Sequence, residues 1–154
     1  MQTIVLKFGG TSVGSLERIR AVASLVAGAR AEAFPVVVVS AMSGETNRLI
    51  QLAKDLSPNP SGAAFDMLVA SGEQVSCSLV ALALNDLGIA ARPMLGHQVG
   101  IETDAFFSNA RIRKIARERL DEIILRGEIP VIAGFQGVDQ DSGQITTLGR
   151  GGSD

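Results

Sequence analysis

Apolar residues follow two rhythms along this chain, and their alternation predicts an α/β fold. Ile4-Val5-Leu6 is a short unbroken run that reads as a buried strand. Leu16, Ile19, Val22, Ala23 and Val26 then recur at the spacing of one helix face. The pair repeats at once. Phe34-Pro35-Val36-Val37-Val38-Val39 reads as a strand buried on both faces, as in a parallel sheet. Leu49, Ile50, Leu52, Ala53 and Leu56 predict the helix behind it. Ser57-Pro58-Asn59-Pro60-Ser61-Gly62 is a turn-rich connector, too short for a domain linker.

Residues 63–87 are helical in pattern, with Phe65, Leu68, Val69, Val75, Leu79, Leu82 and Leu87 apolar. Ser71-Gly72-Glu73 interrupts them and predicts a loop between two helices, with Glu73 in the first turn of the second, where the helix dipole favours a carboxylate. The alternative is an acidic residue aimed at a ligand ammonium group. Gly88 suits a C-cap. Residues 89–95 predict an edge-like strand, because Pro93 limits pairing. Ile115, Leu120, Ile123 and Ile124 then form an apolar stripe at roughly helical spacing. Arg111, Arg113, Lys114, Arg117 and Arg119, diluted by Glu118, Asp121 and Glu122, make its solvated face. Pro130-Val131-Ile132-Ala133 is a fourth strand, residues 139–143 a hairpin tip, and Ile145-Thr146-Thr147-Leu148 the returning strand.

Strands alternating with helices predict a mostly parallel sheet between helices, a three-layer α/β/α sandwich. Ligands of such sheets bind beyond the C-terminal ends of the strands. The chain of 154 residues suffices for one domain, and 46% apolar content excludes disorder. No apolar run approaches the ~20 residues of a membrane span, and no basic stretch with a long apolar region opens the chain, so neither a span nor a signal peptide is expected. A net charge of −2 argues against a general nucleic-acid surface. The single cysteine, Cys77, excludes an internal disulfide and suits a reducing compartment. The single histidine, His97, excludes a histidine-based metal cluster and is expected to be a hydrogen-bonded structural residue rather than a base.

Three stretches carry candidate chemistry. In Lys7-Phe8-Gly9-Gly10-Thr11-Ser12-Val13-Gly14 a lysine and two glycines sit where a strand hands over to a helix. Glycines allow backbone N–H groups to approach a ligand and a helix N-terminus favours anions, so the stretch suits a phosphate. It is neither a Walker A loop, since the lysine precedes the glycines, nor G-x-G-x-x-G. Ser40-Ala41-Met42-Ser43-Gly44-Glu45-Thr46-Asn47 lies beyond the second strand, where Ser40, Ser43 and Thr46 are either helix caps or ligand contacts. Gly149-Arg150-Gly151-Gly152-Ser153-Asp154 has a guanidinium for a carboxylate and glycine N–H groups for anions, or is a C-terminal tail.

These stretches, with Val39-Ser40-Ala41-Met42-Ser43-Gly44, Ser71-Gly72-Glu73-Gln74-Val75-Ser76, Val131-Ile132-Ala133-Gly134-Phe135-Gln136-Gly137 and Thr146-Thr147-Leu148-Gly149-Arg150-Gly151-Gly152-Ser153-Asp154, occur in the order and at the spacing of one family. The chain resembles the N-terminal part of the catalytic domain of the aspartate kinases, in the amino-acid kinase family. The resemblance implies transfer of the γ-phosphoryl of Mg-ATP to the side-chain carboxylate of L-aspartate, giving 4-phospho-L-aspartate at the entry to lysine, threonine and methionine synthesis. It implies ATP, with Mg2+ carried by the nucleotide, and no protein nucleophile. By the same resemblance Lys7 neutralises the transferring phosphoryl, and Phe8, Gly9, Gly10 and Ser40 lie at the phosphates. Thr46, Asn47, Glu73, Arg150, Gly151, Gly152, Ser153 and Asp154 form the aspartate pocket, Glu73 taking the ammonium and Arg150 a carboxylate. Asp154 also orients the catalytic lysine. The resemblance further implies a cytoplasmic homo-oligomer, and a nucleotide-binding remainder and regulatory ACT domains beyond residue 154. Glutamate 5-kinase, another amino-acid kinase or a non-catalytic α/β ligand-binding module are the alternatives.

Overall fold

The structure, a computed structural model, describes residues 2–149 and 152. A four-stranded sheet is built from β1 (Thr3–Phe8), β2 (Phe34–Val39), β3 (Ala91–Met94) and β6 (Ile129–Ala133), in the order β1-β2-β6-β3 and parallel throughout. Helices α1 (Leu16–Ala29) and α3 (Gly62–Asp86) pack on one face. Val22, Val26, Val80 and Leu84 meet Val37, Val39, Val131 and Ala133 there in a fully buried core. On the other face Ile123 of α4 (Glu118–Leu125) packs with Val36, Met94, Val99 and Ile132. Consecutive valines serve both cores because successive strand residues point to opposite faces. The expected α/β/α layering is therefore present.

β1 is not the buried strand its apolar run predicts. It is an edge strand, with Val5 65% and Ile4 40% exposed. Sequence alone cannot tell a run buried on both faces from one whose covering lies elsewhere. α1 also begins only at Leu16, with the Ser15 hydroxyl accepting the Arg18 N–H at 3.2 Å, so Gly9 and Gly10 lie in a loop rather than in a helix's first turn.

A second sheet, ordered β5-β4-β7-β8, was not anticipated. It comprises β4 (Ile101–Thr103), β5 (Ile112–Ile115), β7 (Gln136–Asp139) and β8 (Ile145–Thr147). β7 and β8 are the expected hairpin, antiparallel with Gln136 opposite Thr147. β5 corrects the helix predicted from residue 111. Arg113 and Lys114 stand on an exposed edge strand, and the helix starts at Glu118. Ile115, which the apolar stripe with Leu120, Ile123 and Ile124 included, stands half exposed on this strand and not on the helix.

The predicted break at Ser71-Gly72-Glu73 is likewise absent. α3 runs unbroken for 25 residues. By length and composition it would pass for a membrane span. It is instead the core helix, burying Asp66 and Glu73 against neighbouring segments. α2 (Glu45–Leu56) packs beside it, starting from Gly44 at φ +82°, a left-handed conformation glycine adopts without penalty.

Candidate active site at the strand ends

The C-terminal ends of three strands finish abreast, because Phe8 pairs with Val39 and Val39 with Ala133. Backbone bonds continue the alignment beyond the sheet. Ser40 N–H donates to Phe8 at 3.0 Å, Gly134 N–H to Val39 at 2.9 Å and Ser43 N–H to Gly10 at 3.1 Å. The loop after β1 thus lies against the loop after β2. A Cβ on Gly10 would stand 2.9 Å from the Ala41 carbonyl oxygen, so only glycine permits this approach. Lys7 is exposed in the penultimate position of β1. Its register partner is Val38, which packs with the α4 core, whereas Leu6 and Phe8 pack with the α1–α3 core. By strand alternation Lys7 stands on the α4 face and Glu73 approaches from the other.

α3 clasps the second loop. Ala41 N–H donates to Glu73 Oε1 at 3.2 Å, and the Ser76 hydroxyl donates to the Ser40 carbonyl at 2.6 Å. Gly72 makes this possible, since a Cβ there would stand 2.9 Å from the Ala41 methyl. Ser40 therefore does not cap a helix. Its carbonyl is held by α3, and Gly44 occupies the N-cap of α2 with no side-chain cap bond. Thr46, half-buried, and Asn47, exposed, lie in the first turn of α2 beside this loop.

Glu73 is 3% exposed, and its Oε2 has no hydrogen-bond partner among the described residues. Burial lifts its carboxyl to about 7, opposed by the Ala41 N–H, which favours the charged form. A desolvated carboxylate oxygen without a donor is a place where a cation would be stabilised.

Further hydrogen bonds tie α3 to the second sheet. The Gln136 side-chain amide donates to the Ala70 carbonyl at 3.0 Å, and Asp66 accepts from Thr147 and Ser108. Sequence reasoning missed Asp66, Ser76 and Gln136 as site-building residues. For the two on the helix a signal existed: positions 66, 73 and 76 fall on one helix face inside an apolar pattern.

β8 leads into the last candidate stretch. Gly149 is half-buried, Gly152 is exposed, and Gly152 N–H turns back to the Gly149 carbonyl at 2.9 Å. Arg150, Gly151, Ser153 and Asp154 lie outside the described residues. His97 is exposed at a turn, and among the described residues its ring has no hydrogen bond, unlike the structural histidine expected. Cys77 is buried in the α1–α3 core, and burial pushes its thiol up to about 11, which makes it unreactive.

Comparison with known proteins agrees with this geometry. The profile of the amino acid kinase family matches residues 2–154. An aspartate kinase of Stutzerimonas stutzeri is 53% identical over the whole chain, and an aspartokinase of Bacillus sp. strain MGA3 is 51% identical. The chain spans only 37% and 38% of their lengths. Among solved structures, the aspartate kinase of Synechocystis superposes with a TM-score of 0.81 at 45% identity, over 98% of this chain and 24% of that one. The E. coli aspartokinase III in complex with aspartate and ADP gives 0.85 at 25% identity, over 99% of this chain and 44% of that one. The aligned strand ends, the glycine loop and the helix carrying Glu73 therefore belong to a member of the amino acid kinase family.

Proposed function

We propose that this chain is the N-terminal part of an aspartate kinase catalytic domain, carrying most of the amino-acid pocket and part of the phosphate pocket. The observation that carries the reading is Glu73 Oε2, buried and lacking a donor among the described residues. The ammonium group of L-aspartate supplies that donor and neutralises the charge. In the E. coli relative aspartate and ADP bind together, which supports the same pair of ligands here.

The substrate's own side-chain carboxylate attacks the γ-phosphoryl of ATP, so the protein positions and stabilises charge rather than supplying a nucleophile. Lys7 at the end of β1 neutralises the transferring phosphoryl. Gly9 and Gly10 bring backbone to the phosphates, with Phe8 and Ser40 alongside. Thr46 and Asn47 line the aspartate side, where Arg150, Gly151, Gly152, Ser153 and Asp154 complete the pocket, and Asp154 orients Lys7. Mg2+ arrives with the triphosphate and offsets its charge. Among the described residues no three acidic, histidine or cysteine side chains converge to hold a metal by themselves.

The same reading expects the rest of the parent polypeptide to hold the nucleotide base and to carry ACT regulatory domains. It also expects a homo-oligomer in the cytoplasm, and little or no turnover by residues 1–154 alone. The test is aspartate-dependent turnover of ATP by the parent polypeptide, with glutamate as the competing acceptor. Activity with aspartate, and a Glu73→Gln variant whose KM for aspartate rises while its KM for ATP stays, supports the reading. Activity with glutamate only, or a Glu73→Gln variant with an unchanged KM for aspartate, refutes it.

A further inference from the structure

Asp66 is fully buried in α3, seven positions before Glu73, and no step above uses it. Its Oδ1 accepts the Ser108 hydroxyl at 3.0 Å. Its Oδ2 accepts the Ser108 N–H at 2.9 Å and the Thr147 N–H at 2.6 Å. Burying a carboxylate is costly, and an apolar residue would pack a core helix more easily. The role of Asp66 therefore lies in what it holds. Ser108 adopts φ +64°, a left-handed conformation uncommon for a residue with a side chain, and two of the three bonds come from it.

The two anchored segments meet each other. Ala110 N–H donates to the Thr147 carbonyl at 2.9 Å, and Ala110 bridges Leu148. Asn109 lies so close to Gly149 that a Cβ on the glycine would clash with its Oδ1. Leu148 N–H is fixed to the Phe135 carbonyl at 2.9 Å. Residues 147–149 are the root of the glycine-rich stretch that runs to residue 154.

Asp66 and Glu73 share one rigid helix. Seven residues span nearly two turns, so both carboxylates lie on one face, about 10 Å apart along the axis. We infer that Asp66 is a positioning residue for the amino-acid substrate: by tying Ser108 and Thr147 to α3, it sets residues 147–149 at a fixed distance from Glu73. The role rests on the aspartate kinase reading above, in which one end of the substrate meets Glu73 and the other meets Arg150.

The experiment is steady-state kinetics of the parent polypeptide bearing Asp66→Ala, Asp66→Asn or Ser108→Gly. Asp66→Ala strips both segments of their anchor, and its KM for aspartate rises roughly tenfold or more while the KM for ATP stays within about twofold. Asp66→Asn restores most of the loss, because its amide oxygen can take both backbone N–H groups and its NH2 can donate to the Ser108 hydroxyl. A merely structural role would lower melting temperature and the active fraction without this split between the two KM values. Should Asp66→Ala not fold, Ser108→Gly carries the test: it deletes one bond on an exposed loop at a φ that glycine favours, with an expected aspartate KM about threefold higher. An unchanged aspartate KM in folded Asp66→Ala, or in Ser108→Gly where the alanine variant does not fold, overturns the role alone. A wild-type parent that turns over no aspartate overturns the kinase reading and this role with it.

Discussion

Gly72 presses against Ala41 so closely that a Cβ on the glycine would stand 2.9 Å from the alanine methyl. This contact lets α3 lie against the loop after β2, which the Glu73–Ala41 and Ser76–Ser40 hydrogen bonds also hold. Gly72→Ala sets two effects against each other. Alanine gains about 1 kcal/mol of helix propensity over glycine, and overpacking against a methyl that cannot swing aside costs about 1–3 kcal/mol. We expect a small net loss of stability, a few degrees in a thermal melt. The KM for aspartate in the parent polypeptide should rise much more, because the 40–44 loop must move. A variant with wild-type kinetics would show that the close approach serves packing alone.

Glu73 should make stability depend on pH. Its carboxyl is lifted by burial from 4.5 to about 7 in the folded chain. A raised folded value means that the neutral form is favoured by folding. The contribution is complete below about pH 4.5 and is lost as pH rises through 7. The elevation corresponds to roughly 3 kcal/mol. Glu73→Gln removes the titration and keeps the shape. The variant should therefore gain on wild type between pH 5 and pH 8, by an amount approaching that figure, in paired denaturant melts of the 154-residue chain. A stability difference that stays flat across this range would contradict it.

The sequence pattern made most of the first sheet legible because β1, β2 and β6 lie where short apolar runs fall, while β3 carries Arg92 and Pro93 and reads only as edge-like. The resemblance pointed to Lys7 and Ser40, which lie at the C-terminal ends of β1 and β2, and to Glu73, which bonds the loop after β2. What stayed hidden is what depends on long-range contact. β5 looked helical because Ile115 falls in register with Leu120, Ile123 and Ile124, and Arg111, Arg113 and Lys114 match a solvated helix face as well as an exposed strand. Gly72 looked like a helix break, because only the distant Ala41 shows why a helix needs a glycine there. Asp66 drew no attention, since its donors lie 42 and 81 positions away.

Ser76 offers a smaller and separable test. Its hydroxyl donates to the Ser40 carbonyl at 2.6 Å from a fully buried position. Ser76→Ala deletes the donor and leaves that carbonyl short of a partner. The expected cost is about 1 kcal/mol in a denaturant melt, with a modest loss of kcat/KM through the loosened loop. Ser76→Cys keeps a weak donor at similar volume and should fall between the two. A neutral alanine variant would mean that the Ser40 carbonyl finds water or another donor instead.

The two edges of the first sheet are unlike, and this predicts how the 154-residue chain behaves in solution. The β3 edge carries Pro93, which cannot donate to a new strand, and Arg92, held to Glu128 at 2.7 Å. The β1 edge carries no proline, and its one charged residue, Lys7, sits in the penultimate position of the strand. Among the described residues no strand pairs along this edge, and Ile4 and Val5 are exposed beside it, the condition under which edge strands pair with other chains. We expect sedimentation velocity to show association that grows with concentration. Val5→Lys should shift the chain toward monomer without lowering its melting temperature, since Val5 is 65% exposed and contributes little to the core. Leu125→Lys is the control, because Leu125 is 86% exposed on α4 and belongs to neither edge. If both substitutions reduce association equally, generic hydrophobic contact rather than strand pairing is responsible. If neither does, the β1 edge is not where chains meet.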